Sequence, residues 1–255
     1  MPLPADVLAR LEAFPALARS VAIYYGDPAR QAAMDALHGR LVKPGQTVFD
    51  IGAHIGDRTE SFRRLGAKVV ALEPQPDCAE AIRIIHGADK GVTIMEQACG
   101  AVAGRMMLHV NSANPTVSTL SEAFIQAADG AGGWDGQVWD RTVEVRVTTL
   151  DRLIANHGVP AFVKIDVEGH ESDVLNGLST PLPALSFEFT TIQRDVALTC
   201  IERLRSLGRY RYDVALGESQ QMTFGSPVSG PEMVSYIASL PHAANSGDIY
   251  AFNAA

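Results

Sequence analysis

The chain of 255 residues is long enough for one large α/β domain or two small ones, with an ordinary core either way. A formal net charge of -8 argues against a protein whose main work is gripping phosphate backbones, since such proteins concentrate Lys and Arg, and it favours small-molecule or protein partners. Three widely spaced cysteines, Cys78, Cys99 and Cys200, form no CxxC pair, so neither a disulfide framework nor a thiolate zinc site is indicated and a reducing cytoplasm fits best.

The first twenty residues carry Asp6, Glu12 and Pro15 and lack the apolar core of a secretion signal, and no later apolar run approaches membrane-spanning length. A soluble protein without membrane or nucleic-acid partners is expected. Leu8, Leu11, Phe14, Ala18, Val21, Ala22 and Tyr25 recur at three- and four-residue steps, which predicts an amphipathic helix around Pro15. A second helix starts at Asp27-Pro28, with Asp as N-cap and Pro in the first turn, and carries Met34, Leu37 and Leu41 on one side. Residues 1–42 thus read as a helical extension ahead of a domain spanning 43–255.

From Thr47 onward, short apolar runs alternate with helical segments: TVFDIG, KVVALEP, GVTIMEQA, FVKIDVEG, ALSFEF, YRYDVAL and DIYAF read as strands. Runs too apolar to alternate cleanly suit a sheet covered on both faces. After the first strand, Asp57 and Glu60 have capping-box spacing, Phe62 and Leu65 face the sheet, and Gly66 stops the helix. A helix from Pro76 to Ile85, ended near Gly87, follows the second. Repeated βαβ units predict a doubly wound, largely parallel sheet. GRMMLHV and VEVRVTTL look like a hairpin pair flanking an insertion near 111–141, which holds Trp134 and Trp139. That insertion reads equally as a substrate-binding lid or as a surface excursion pinned by two buried rings. A last segment, GSPVSGPEMVSYIASLPHAANSG, reads as a cap over the sheet edge.

The turn in VFDIGAHIGD carries the first chemical signal. In an open α/β sheet the ligand sits beyond the carboxyl ends of the strands, where strand order reverses. Gly52 and Gly56 let that turn approach a ligand closely, yet GxGxxG fails, because the remaining glycine would fall on His54 or Asp50. An acid at the strand end, Asp50, repels pyrophosphate and suits a positively charged ligand such as S-adenosylmethionine, with its amino and sulfonium groups. Glu73 closes the second strand, where a carboxylate can accept hydrogen bonds from both ribose hydroxyls, and Gln97 lies where a side-chain amide can meet an adenine edge. Taken singly, Asp50 also reads as a loop-bracing acid and Glu73 as a solvated strand end.

VFDIGAHIGD, ALEP, TLDRLI and VKIDVEGHESDVLNGL, in that order, resemble the FkbM family of S-adenosylmethionine-dependent methyltransferases, over about Lys43 to Leu216. DxGxxxG and KIDVEGxE are the specific parts; the N-terminal helices and the tryptophan insertion lie outside them. The resemblance implies a Rossmann-like, seven-stranded methyltransferase sheet, mostly parallel with an antiparallel last strand. It also implies methyl transfer to a hydroxyl of a sugar or natural product, with Asp50, Gly52, Gly56 and Glu73 on the cofactor. His54, where the family often has Asn, falls beside the methionine moiety.

VKIDVEGHE places Asp166, Glu168, His170 and Glu171 around the end of a central strand, where the reacting methyl points. Asp166, nearest the cofactor, is the first choice of base; His170 is the second, though it also reads as a first-turn helix residue. Glu168 is placed against the acceptor. Asp166, Glu168 and Glu171 could hold magnesium, but the spacing lacks a dedicated metal loop and no metal is favoured. His54, His109 and His242 are scattered. Lys164, a cation in a doubly buried strand, needs a carboxylate, and Glu188 in ALSFEF is the expected partner. The rival readings are a nicotinamide oxidoreductase on a similar sheet and a non-catalytic binding module; acceptor and oligomeric state stay open.

Overall fold

The computed structural model describes residues 3–254. Pro15 splits the expected first helix. It leaves Phe14 in an extended conformation (φ -118, ψ 73), so α1 (Ala5–Leu11) and α2 (Ala18–Tyr25) are separated by a single 3-10 turn at Pro15–Leu17. α3 (Pro28–His38) begins where expected. The Asp27 carboxylate accepts the Ala29 and Arg30 amides at 2.9 and 3.1 Å, and Met34 and Leu37 are buried while Leu41 lies past the helix end.

The main domain then alternates strand and helix: β1 (Thr47–Ile51), α4 (Asp57–Arg64), β2 (Lys68–Leu72), α5 (Pro76–His86) and β3 (Val92–Met95). A departure follows. The stretch read as one strand, GVTIMEQA, breaks after Met95, and β4 (Ala98–Cys99) joins a separate three-stranded sheet with β5 (Gly104–Val110) and β6 (Arg141–Thr148), in the order β4-β6-β5. β5 and β6 pair antiparallel around an insertion that contains α6 (Glu122–Ala128). The chain returns through α7 (Leu150–His157), β7 (Phe162–Ile165), α8 (Glu171–Asn176), β8 (Ala184–Thr190), α9 (Arg194–Leu207), β9 (Tyr210–Leu216), α10 (Gly230–Ser239) and β10 (Ser246–Asn253).

The seven-stranded sheet has the order β3-β2-β1-β7-β8-β10-β9, and only β10 runs against its neighbours. Alternate residues of the central strands feed two cores: Phe49, Ile51, Val163 and Ile165 pack on one face, Val48 and Phe162 on the other. Apolar side chains on both faces are what a helix-covered parallel sheet requires. Strand order reverses between β1 and β7, which opens a crevice beyond their carboxyl ends. Among the described residues, no helix is long and apolar enough to cross a membrane.

The expected capping box does not form. The N-cap of α4 is Gly56 (φ 82), and both acids are engaged elsewhere: Asp57 with Arg30 and Arg58, Glu60 with Arg64. Arginines arriving from α3 and from α4 itself offer these carboxylates charged partners, which outcompete a neutral amide.

Candidate active site

The crevice encloses a cavity of about 110 Å³ that widens into solvent at its mouth. One wall is the turn after β1. Asp50 is 1% exposed, and burial pushes its carboxyl up to about 6, against the 2.6 Å hydrogen bond that the Thr59 hydroxyl donates to Oδ2. Gly52 sits at φ +81, and a Cβ there would lie 1.7 Å from the Asp166 carbonyl oxygen. Its first duty is therefore to let β1 and β7 close together, not to clear space for a ligand. Gly56 is similar: at φ +82, its Cβ would meet the His86 ring at 3.2 Å.

Glu73, 2% exposed, follows β2 directly beside this turn. It accepts the His54 amide on one oxygen and the Gln75 amide on the other, both at 2.8 Å. Burial outweighs these bonds and raises its carboxyl to about 7. Gln97 lines the same cavity. His54 does too, with backbone at φ 50, and its ring ties the turn to the N-terminal helices: Nε2 lies 2.8 Å from the Ser20 hydroxyl, and the Tyr24 ring meets it edge-on at 5.9 Å. Burial lowers the imidazole to about 4, so it is neutral at physiological pH.

The opposite wall is the acidic loop after β7. Lys164, 2% exposed, contacts Asp248 of β10 at 2.5 Å and Asp166 at 3.1 Å. The expected Lys164–Glu188 pair is not formed; on β10 it is Asp248, opposite Glu188 in the antiparallel register, that reaches the ammonium. Burial alone would lower the Lys164 pKa, but the two carboxylates hold it well above the usual lysine range. Asp166, Glu168 and Glu188 all line the cavity, and burial followed by the Asp166 charge raises the carboxyls of Glu168 and Glu188 well above the usual range.

Two of the sequence candidates are turned away. His170, the second choice of base, does not line the cavity: it is 7% exposed, precedes the first turn of α8, packs its ring against Gly100, and places Nδ1 3.4 Å from Asp173. Glu171 bends back to accept the Val167 and Gly169 amides at 3.1 and 3.3 Å, so it braces the loop instead of joining a metal trio. Trp134 and Trp139 also lie outside the cavity. Both pack edge-on against Phe124, at 5.1 and 6.2 Å, and the Trp139 indole donates to the Val117 carbonyl at 2.8 Å. The insertion still contributes to the site through Thr116, Ser118 and Thr119, whose hydroxyl donates to the Glu168 carbonyl at 2.6 Å.

Tyr24, Arg58 and Glu218 line the cavity without having been singled out in the sequence. Arg58 joins Asp57 at 2.7 Å and Glu218 at 3.1 Å, and Arg30 joins the same two acids at 3.0 and 2.8 Å. Only the (i, i+1) neighbour Asp57 is close to Arg58 in sequence, so no local pattern announces this four-membered network across α3, α4 and the loop after β9.

Comparison with known families matches the sequence to one of them. The profile of the Methyltransferase FkbM domain matches residues 50–212. The hexuronic acid methyltransferase AglP of Haloferax volcanii is 26% identical over 161 residues, which cover 62% of this chain and 61% of that protein, so the match spans less than two thirds of that relative. Among solved structures, a precorrin-6y C5,15-methyltransferase from Geobacter metallireducens aligns over 88% of this chain and 87% of its own at 12% identity and a TM-score of 0.46. An O-methyltransferase from Bacillus cereus, in complex with SAH, aligns over 98% and 91% at 12% identity and a TM-score of 0.45.

Proposed function

The chain belongs to the FkbM methyltransferase family, and we propose that it transfers a methyl group from S-adenosylmethionine to a hydroxyl oxygen of a small, carbohydrate-like molecule. The observation that carries this reading is the cavity at the strand switch point, where Asp50 and Glu73 face Asp166 across a single space. The similarity to a hexuronic acid methyltransferase supports a sugar acceptor.

The donor set fits the cofactor. Asp50 has one oxygen engaged by Thr59 and the other without a hydrogen-bond partner among the described residues, a seat for an ammonium or a sulfonium. Glu73 opens onto the cavity as an acceptor for ribose hydroxyls, and Gln97 offers an amide to the adenine edge. When bound, S-adenosylmethionine supplies an electrophilic methyl carbon on a sulfonium, which becomes a neutral thioether on transfer. Asp166 opens onto the cavity and would accept the proton of the acceptor hydroxyl, while Lys164, 3.1 Å away, fixes the carboxylate in place. Enclosing the acceptor between two walls would lower the entropic cost of bringing its hydroxyl to the methyl carbon.

The test is calorimetry with S-adenosylhomocysteine. Asp50→Ala should abolish binding while circular dichroism stays unchanged. Near-normal affinity in that variant, or stabilisation of the wild type by NADH and not by S-adenosylhomocysteine, overturns the assignment.

A further inference from the structure

The cavity holds more negative charge than the cofactor accounts for. Asp166 and Glu168 follow β7, Glu188 stands near the end of β8, and one oxygen from each lies within 4.8 Å of the others. The cations lining the cavity are already committed: Lys164 to Asp166 and Asp248, Arg58 to Asp57 and Glu218. His54 cannot help, because it is neutral. Glu168 supplies an independent sign of a missing ligand. It is 8% exposed, its carboxylate lines the cavity, and that carboxylate has no hydrogen-bond or ionic partner among the described residues. The Glu168 carboxyl opens onto the cavity, so a cation bound there is the charged partner that the protein itself does not supply.

We propose that Asp166, Glu168 and Glu188 form a cation seat beside the transferred methyl group, filled either by a hard divalent metal ion or by an ammonium group that the acceptor carries. The role beside the methyl rests on the methyltransferase reading; the seat itself does not. Three carboxylate oxygens are the ligand set of magnesium, manganese or calcium, and a spread of up to 4.8 Å suits a shell with metal–oxygen distances of about 2.0–2.6 Å. A metal here would also engage acceptor hydroxyls and ease loss of their proton. An ammonium would instead orient an amino-bearing acceptor through charge-assisted hydrogen bonds.

Two titrations separate the sources. In the first, Mn2+ is titrated into the wild type, Glu168→Gln and Glu188→Gln, with and without S-adenosylhomocysteine, and read by electron paramagnetic resonance of the free ion. A metal seat gives one site per chain, weakened at least tenfold in each variant. In the second, run in EDTA, the affinity for S-adenosylhomocysteine is compared with that for sinefungin, the analogue in which an amine-bearing carbon replaces the sulfur. An ammonium seat gives a preference for the amine that each variant reduces at least fivefold. Mn2+ binding that ignores both substitutions, or no Mn2+ binding together with an unchanged preference, overturns the seat. If S-adenosylhomocysteine fails to bind the wild type, the methyltransferase reading falls on its own, and the Mn2+ titration of the ligand-free protein still judges the seat. Circular dichroism of the near-isosteric Gln variants confirms that they fold.

Discussion

Replacing Lys164 with Met would expose how the sheet tolerates charge at its centre. The ammonium is 2% exposed and is clasped by Asp248 and Asp166 at 2.5 and 3.1 Å. Met fills a similar volume, so packing changes little, but Asp248, itself 7% exposed, keeps its charge and loses its partner. Breaking a buried pair from one side costs about 3–5 kcal/mol, a third or more of the stability of many domains. For a chain of this size that lowers Tm by roughly 6–20 °C. The loss should depend on pH. Burial already raises the Asp248 carboxyl even with Lys164 beside it, and removing the cation raises it further. A carboxyl whose folded pKa lies above its unfolded one contributes stability at low pH that is lost as pH rises through the folded value, so the variant should recover on acidification. Urea denaturation at about pH 5 and about pH 8 measures both effects, and Lys164→Met/Asp248→Asn should regain most of the loss. A variant within about 1 kcal/mol of wild type at the higher pH, or one with no gain on acidification, would refute the pairing as the reason for a lysine there.

Gly52→Ala combines a left-handed backbone with a Cβ 1.7 Å from the Asp166 carbonyl, so β1 and β7 must part. The conformational part alone costs about 1–2 kcal/mol, and chemical denaturation should show more than this, with cofactor affinity falling at least tenfold by calorimetry. Asp50 and Glu73 have folded pKa values of about 6 and about 7, above their ordinary values of 3.8 and 4.5, so they contribute stability below pH 4 that disappears as pH rises to 7. Ligand-free stability should therefore fall over that window while affinity for S-adenosylhomocysteine rises, since binding uses the ionised acids; parallel pH trends would contradict the reasoning. Trp134→Ala removes an edge-on aromatic pair worth about 0.5–1.5 kcal/mol beyond its buried area, yet the ring does not line the cavity. Tm should drop, with cofactor affinity within twofold of wild type.

Much of this was legible because the signals are local. Each of the seven expected strands of the main sheet is an apolar run bounded by glycine or polar residues, and βαβ alternation leaves few ways to order them. That Asp50, Glu73 and Asp166 share one cavity was readable because each stands at a strand end by the switch point. What failed depended on partners distant in sequence. Asp57 and Glu60 have capping-box spacing, but α3 brings Arg30 to Asp57, and nothing between positions 30 and 57 encodes that meeting. Lys164 demanded a carboxylate, and the pattern offered Glu188 on the adjacent strand; the actual partner lies on β10, which enters the sheet last and antiparallel. His170 and Glu171 share a loop with Asp166, yet the left-handed turn through Glu168 (φ 54) and Gly169 (φ 85) precedes side chains directed away from the cavity. Spacing along a loop does not fix which side chains converge, whereas spacing along a strand does.

The role of His54 follows from the same distinction. Its amide is bound by Glu73, its ring by Ser20, and its backbone takes a left-handed conformation that costs a non-glycine residue about 1–3 kcal/mol. A neutral ring can accept or donate on either side, which a cation held among hydroxyls could not. The strain is offset because one residue joins three parts: the turn after β1, Glu73 and the N-terminal helices. Those helices also bring Tyr24 to the cavity and Arg30 to the Asp57–Arg58–Glu218 network. They are therefore a wall of the cavity, which Tyr24 lines and to which the contact between Ser20 and His54 ties them.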